Sequence, residues 1–194
     1  MGRKALYDRS DIRGAALKLV STLGPQDVTI ADIAKELGAP TGSIYHRYRS
    51  REHILAELWM DVVESFQREF VAALAEAEDA AGAGEAALLM TRWTRDHMRE
   101  ARLMLLYHRQ DFVGAEWPEE LAVRAKALEP EMGHALRAFA RRALGRSDAE
   151  AMARVRFALL DAPFGAIKPY VQRGVALPAV LDELIVKVVH AALD

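Results

Sequence analysis

The stretch TIADIAKELGAPTGSIYHRYRSREHIL, residues 29–55, decides how the chain is read. Its punctuation is that of two short helices joined by a tight turn, followed by the start of a third. Thr29 and Asp32 have the spacing of a capping box, in which a hydroxyl and a carboxylate satisfy free N–H groups at a helix start. Ile30, Ile33, Ala34 and Leu37 recur at three- and four-residue intervals and form one apolar stripe. Gly38 follows, where a left-handed backbone ends a helix at no Cβ cost. Pro40 suits the first turn of the next helix, where no N–H is needed. Ile44 and Tyr48, four apart, can face a core, which leaves Thr41, Ser43, Tyr45, His46 and Arg47 facing outward. Ser50 caps the helix after that, with Glu52 in its first turn. This is a helix-turn-helix, a shape that pushes one short helix into the major groove of DNA.

A groove-reading helix needs short or hydrogen-bonding side chains near its N-terminus, so that the backbone can approach the bases. Thr41, Gly42 and Ser43 meet that need, and His46 and Arg47 are long enough to reach a base edge or a phosphate. Tyr45 can donate its hydroxyl to a phosphate oxygen. A polar face alone would also suit an ordinary solvated helix; the succession of cap, glycine turn and cap favours DNA. Residues 10–23 add a preceding helix, with Ser10 as its expected cap, Ile12, Ala15, Ala16, Leu19 and Val20 on one face, and Gly24-Pro25 as its stop. Arg3 and Lys4 sit on a polar arm ahead of it that either follows the DNA backbone or minor groove or is a disordered tail.

Charge distribution agrees. Residues 1–52 hold nine Lys or Arg against six acids, so this basic head sits on a body with five net negative charges, within an overall charge of -2. There is no cysteine, which excludes a disulfide framework, a thiol sensor or a thiolate metal site. The first residues are polar and no apolar run approaches a membrane span of ~20 residues, so a cytoplasmic protein with no membrane partner is expected. His97, His108 and His134 share no helical face with carboxylates, so no metal site is supported. The glycines near 82–85 follow no strand and are not a dinucleotide fingerprint. No nucleophile, phosphate-loop or paired-carboxylate pattern stands out; an enzyme is not expected, nor a cofactor.

The rest is predicted to be helical. One long helix runs from Ser50 to about Glu78 with Ile54, Leu55, Leu58, Val62, Phe66 and Phe70 inward. Ala/Gly/Glu-rich 75–87 reads as a loop, followed by helices over about 85–99 and 101–110. Pro118 opens another, broken near Pro130 and ending at Gly145. Ser147 with Glu150 forms a capping box for a helix to about Gly174, kinked at Pro163, and Pro178 opens the last. The expected architecture is all-α, with about nine helices. A three-helix DNA-binding domain (1–52) precedes an effector-binding and dimerisation domain (53–194).

The last helix is apolar nearly all round, which asks for burial on more than one side. With the helix from Ser147 it suggests a two-fold four-helix interface using Phe157, Leu160, Phe164, Ile167, Leu181, Leu184, Ile185 and Val188. One large monomeric core is the alternative. Aromatic and Met residues concentrate in the middle helices, and they suit either a binding cavity or an ordinary core. The candidate effector set is Trp93, His97, Met104, Tyr107, His108, Phe112, Trp117, Asp161 and Phe164. Asp161, in an apolar run, needs either an arginine such as Arg156 or a ligand.

Residues 10–55 resemble the TetR family of bacterial transcriptional regulators. The carriers are SDIRGAALKLV and the run from Thr29 to Leu55. The resemblance implies a dimer that reads an operator in double-stranded DNA and whose C-terminal domain takes a small, largely apolar effector. It implies base or phosphate roles for Thr41, Gly42, Ser43, Tyr45 and His46, and Arg47 stands where the family commonly has His. Thr29, Pro40, Arg47 and Arg51 complete the candidate DNA-binding set. Arg51 stands where the family commonly has a lysine that contacts the DNA backbone. Pro40 departs from the usual Ser or Thr, and Tyr48 replaces Phe, a mild change. The function expected is a repressor released from a palindromic operator by its effector. The rival is a DNA-binding adaptor whose C-terminal domain holds a protein partner.

Overall fold

Ile12, Ala16 and Val20 lie one helical turn apart, and their burial fixes the first helix against its neighbours. In the computed structural model, which describes residues 7–113 and 117–193, α1 spans Arg9–Leu23. The arm carrying Arg3 and Lys4 lies outside the described residues. The cap of α1 is Asp8 rather than the expected Ser10. The Asp8 carboxylate accepts from the N–H groups of Ser10 (2.7 Å) and Asp11 (3.0 Å), and the Ser10 hydroxyl itself donates to Asp8. A carboxylate at a helix start gains from the dipole as well as from the hydrogen bonds, so it outcompetes the hydroxyl.

Helix α2 (Ile30–Leu37) carries the expected capping box of Thr29 and Asp32 and ends at Gly38 with φ 64°. Helix α3 (Thr41–Tyr45) has Pro40 at its N-cap, one position before the expected first turn. Helix α4 (Arg51–Glu76) begins where the Ser50 hydroxyl accepts from the His53 N–H at 3.2 Å. It packs on α1 at its start and on the C-terminal helices further along. The expected domain boundary at 52–53 therefore falls inside an unbroken helix.

Ala/Gly/Glu-rich 75–87 is not a loop. Asp79 caps α5 (Ala80–Asp96), accepting from the Gly82 N–H at 2.9 Å. Alanine is a strong helix former, and the small residues serve close packing against the last helix. A Cβ on Gly84 would lie 3.5 Å from Val186. Helices α6 (Met98–Leu106) and α7 (Arg109–Val113) replace the one short helix expected there. Helix α8 (Glu119–Leu144) is not broken at Pro130. Buried Gln67 of α4 donates to the Leu128 carbonyl (2.9 Å) and to Glu131 (2.8 Å), clamping the turns on both sides of the proline.

Asp148, not Ser147, caps α9 by accepting from the Ala151 N–H at 3.0 Å, while the Ser147 hydroxyl accepts from Arg141. Helix α9 runs Ala149–Arg156, widens into a π-helical turn over Phe157–Asp161 and continues as Ala162–Arg173. The wide turn ends two residues before Pro163. It shifts the Ala162 N–H onto the Phe157 carbonyl, one residue further back than in an α-helix, where the proline interrupts the regular ladder. Gly174 closes α9 with φ 65°, and α10 (Val180–Leu193) packs along α5. The described residues thus hold ten helices and no strand, and one cluster of buried apolar side chains extends from Ile12 to Leu193.

Candidate nucleic-acid interface

Helix α3 is held from beneath by Ile44 and Tyr48, each only 1% exposed. Their burial orients the rest of the helix outward. Thr41, Gly42, Tyr45 and His46 are exposed, as are Thr29 and Pro40 nearby, and Tyr45 reaches 57%. A Cβ on Gly42 would meet nothing within 4 Å, so the chain itself does not demand glycine there. Ser43 and Arg47 are more enclosed. The Ser43 hydroxyl donates to the Pro40 carbonyl (2.6 Å), and Arg47 donates back to the Ser43 carbonyl at 2.8 Å; no side chain caps the start of α3. A shallow hollow of about 500 Å³ lies where Thr29, Thr41, Tyr45 and Arg49 meet the starts of α2 and α4.

Arg51 does not join the outward face. Its guanidinium donates to the carbonyls of Val28 (2.5 Å), Gln26 (3.1 Å) and Pro25, bracing the α1–α2 loop. Three carbonyls in a loop without its own ladder are a strong attractor for a planar, five-donor group. Arg49 is the exposed cation beside Tyr45. It makes no hydrogen bond or ion pair among the described residues. In the sequence alone Arg49 stands out only as a charge. Its position four residues after Tyr45 and eight after Thr41 was the available signal.

Tyr48 is more than a mild replacement for phenylalanine. Its hydroxyl donates to Glu57 at 2.7 Å and accepts from Arg13 at 3.0 Å, and the Arg9 guanidinium lies 4.4 Å over its ring. Burial, then the Glu57 bond, raises the Tyr48 phenol above its ordinary range, which keeps it a donor. Arg9 and Arg13 both pair with Glu57, and Arg13 also reaches Asp61 at 2.5 Å. This cluster joins the end of α3 to α1 and α4. Arg102 makes a second tie, donating to the Ser21 carbonyl of α1 (2.9 Å) and the Val171 carbonyl of α9 (2.7 Å).

The expected effector residues do not form one group. Trp93 and His97 stack with ring centres 5.1 Å apart, and both line a hollow of about 300 Å³ between α1, α4, α5 and α6. Phe66 bridges Trp93 (5.2 Å) to Phe164 (6.0 Å) behind it. Trp117 instead packs edge-on to Trp59 with Arg109 over its ring. Tyr107 and buried Phe112 meet edge-on at 6.3 Å, with the Tyr107 hydroxyl beside Gly24 at the end of α1. Met104 is half-buried and His108 is exposed. Asp161 is exposed at the surface, 3.6 Å from Arg156, so the apolar run around it does not make it a buried ligand group. Among the described residues, no group of three or more His, Asp or Glu is placed to hold a metal ion. No helix there is long and apolar enough to cross a membrane.

The candidate dimer residues divide in two. Leu160, Ile167, Leu181 and Ile185 are buried within the chain's own core, and Phe164 is half-buried. Phe157 (51%), Leu184 (49%) and Val188 (38%) are exposed, together with Val180 (54%), which is not among the residues expected at the interface. Val180, Leu184 and Val188 succeed one another at four-residue intervals and form one stripe of α10.

Residues 12–58 match the model of the bacterial regulatory proteins of the tetR family. The chain is 35% identical over 75 residues to the HTH-type transcriptional regulator BetI of Agrobacterium fabrum, a match that spans 39% of this chain and 34% of that protein. The fold is similar to that of the ketosteroid transcriptional regulator KstR2 of Mycobacterium tuberculosis, with a TM-score of 0.70 and 13% identity over 98% of this chain and 95% of that one. It is also similar to the fatty acid degradation regulator FadR of Bacillus halodurans, with a TM-score of 0.69 and 15% identity over 96% and 98% of the two chains.

Proposed function

We propose that this chain, whose residues 12–58 match the tetR-family model, is a DNA-binding transcriptional regulator rather than an enzyme: a homodimeric repressor released from a palindromic operator by a small, largely apolar effector. The observation that carries the DNA part is the exposed polar face of α3, seated on buried Ile44 and Tyr48. On this reading Thr41 and Ser43 meet base edges, and Tyr45 and Arg49 meet phosphates. The exposed Val180–Leu184–Val188 stripe with Phe157 supports pairing of two copies across a two-fold axis. Such pairing sets two recognition helices one DNA turn apart on an inverted repeat.

The hollow lined by Trp93 and His97 is the proposed effector site, and it reaches residues of α1 as well as α4. A ligand there changes DNA affinity only through its different affinity for the DNA-competent and DNA-incompetent arrangements of those helices. Relatives of similar fold that are named for fatty acid degradation and ketosteroid regulation agree with an apolar ligand. Selection of bound duplexes from a random pool by the full-length protein tests the reading. Enrichment of an inverted repeat is expected. A lone half-site, or no enrichment, would sink the dimeric operator model.

A further inference from the structure

We propose that the hollow between α1, α4 and α6 takes a ligand bearing a primary ammonium group on a short apolar body, and that this ammonium competes with Arg13 for Asp61. The proposal rests on the effector reading above. Leu17, Leu58, Val62 and Trp93 supply apolar walls, which suit a hydrocarbon or aromatic body. Asp61 and Glu100 supply two carboxylates, and the nearby guanidinium is that of Arg13.

That guanidinium is already divided. It bonds Asp61 at 2.5 Å, Glu57 at 3.2 Å and the Tyr48 hydroxyl at 3.0 Å. Glu100 makes no ion pair among the described residues. The remaining titratable wall is His97, whose ring stacks on Trp93 while Nδ1 lies 3.2 Å from the Trp93 carbonyl. Among the described residues Arg13 is the one cation lining the hollow, and Arg124 acts on Asp61 from outside it. Asp61 is also 44% open to solvent, while Glu100 has no cation of its own among the described residues. Partial burial, then the Glu57 charge, raises the Asp61 carboxyl above its ordinary range, and Arg13 together with Arg124 opposes that only in part. An ammonium ion has three donors, enough to serve both carboxylates. An anionic ligand would meet two like charges.

The same geometry gives the ligand a route to DNA. Arg13 holds Tyr48, the buried residue that closes the α3 segment. Drawing Arg13 from Asp61 loosens the cluster that fixes α3 against α1 and α4. Arg13 is thus a positioning residue rather than a DNA contact.

The test uses the full-length protein with phenylalkylammonium ions of two to five linking carbons, the matching carboxylates and the neutral alcohols. Binding is read by calorimetry and operator affinity by fluorescence anisotropy. At least one ammonium ion should bind and lower operator affinity. Glu100→Gln and Asp61→Asn should each weaken that binding about tenfold, as expected for losing a charge-assisted contact. Equal or tighter binding of the carboxylate, unchanged ammonium binding in both variants, or binding of no ammonium ion would overturn the assignment. Binding without any change in operator affinity would overturn the Arg13 route. Gly14→Leu separates this from the effector reading, since a Cβ on Gly14 meets nothing within 4 Å and the residue lines the hollow. If filling the hollow this way changes operator affinity while no ammonium ion binds, the effector site stands and the ammonium proposal fails.

Discussion

Leu184→Glu separates the proposed dimer face from the core. In the single chain Leu184 is 49% exposed, while its neighbour Ile185 is 3% exposed. Burying a whole Leu side chain contributes about 1.5–3 kcal/mol, so covering the exposed half of Leu184 is worth roughly 1 kcal/mol. A two-fold axis presents the residue twice, which makes about 2 kcal/mol lost with the leucines. Two carboxylates in an apolar seam cost roughly 1–3 kcal/mol each. The total is at least about 4 kcal/mol, a thousandfold rise in the dimer dissociation constant. Sedimentation equilibrium over a concentration series reads this directly, with helicity followed by circular dichroism. Leu184→Glu should give a folded monomer with weakened operator binding. Ile185→Glu should lose helicity and melt early, because its charge enters the chain's own core. A Leu184→Glu protein that remains as tightly dimeric as the parent would refute the assignment of this face, and so would one that unfolds like Ile185→Glu.

Other substitutions probe the DNA-binding end. Tyr48→Phe removes a buried hydroxyl bonded to charged Glu57 and Arg13, which still have each other, so about 1–2 kcal/mol should be lost, or roughly 2–8 °C in Tm by calorimetry. Arg51→Ala should lower Tm as well as operator affinity, since it frees the carbonyls of Pro25, Gln26 and Val28; a loss of affinity at unchanged Tm would contradict the bracing role. Thr29→Ala should cost about 1 kcal/mol of stability through the lost cap of α2, measured by urea unfolding. The Thr29 hydroxyl, then its N–H, hold the Asp32 carboxyl below its ordinary range. The ionised cap therefore stabilises the fold above the usual aspartate range, and that contribution fades as pH falls through the lowered value. Thr29→Ala should flatten this acid limb of the stability curve, and an unchanged limb would count against the cap as its source.

Local chemistry wrote most of the fold into the sequence. Thr29, Gly38, Ser50 and Gly174 act through their own backbone neighbours, so their spacing sufficed to place helix ends. Where two caps competed, the carboxylates Asp8 and Asp148 displaced the expected hydroxyls of Ser10 and Ser147 by one or two positions. The alanine- and glycine-rich stretch reads as a loop because of its glycines, although the Asp79 cap and the alanines support a helix locally. Gly84 and its neighbours become informative only once α10 lies against them.

The sequence by itself determined that α3 has an outward polar face over Ile44 and Tyr48, because helical periodicity and caps are properties of adjacent residues. Tertiary structure decided what the long polar side chains do. Arg51 turns to loop carbonyls, Arg49 stays exposed at the surface, and Arg13 draws Tyr48, Glu57 and Asp61 into one cluster. It likewise divided the apolar last helix into a buried face and an exposed stripe. Those outcomes depend on groups tens of residues apart meeting in space, where desolvation and hydrogen-bond competition choose among partners that no local spacing distinguishes.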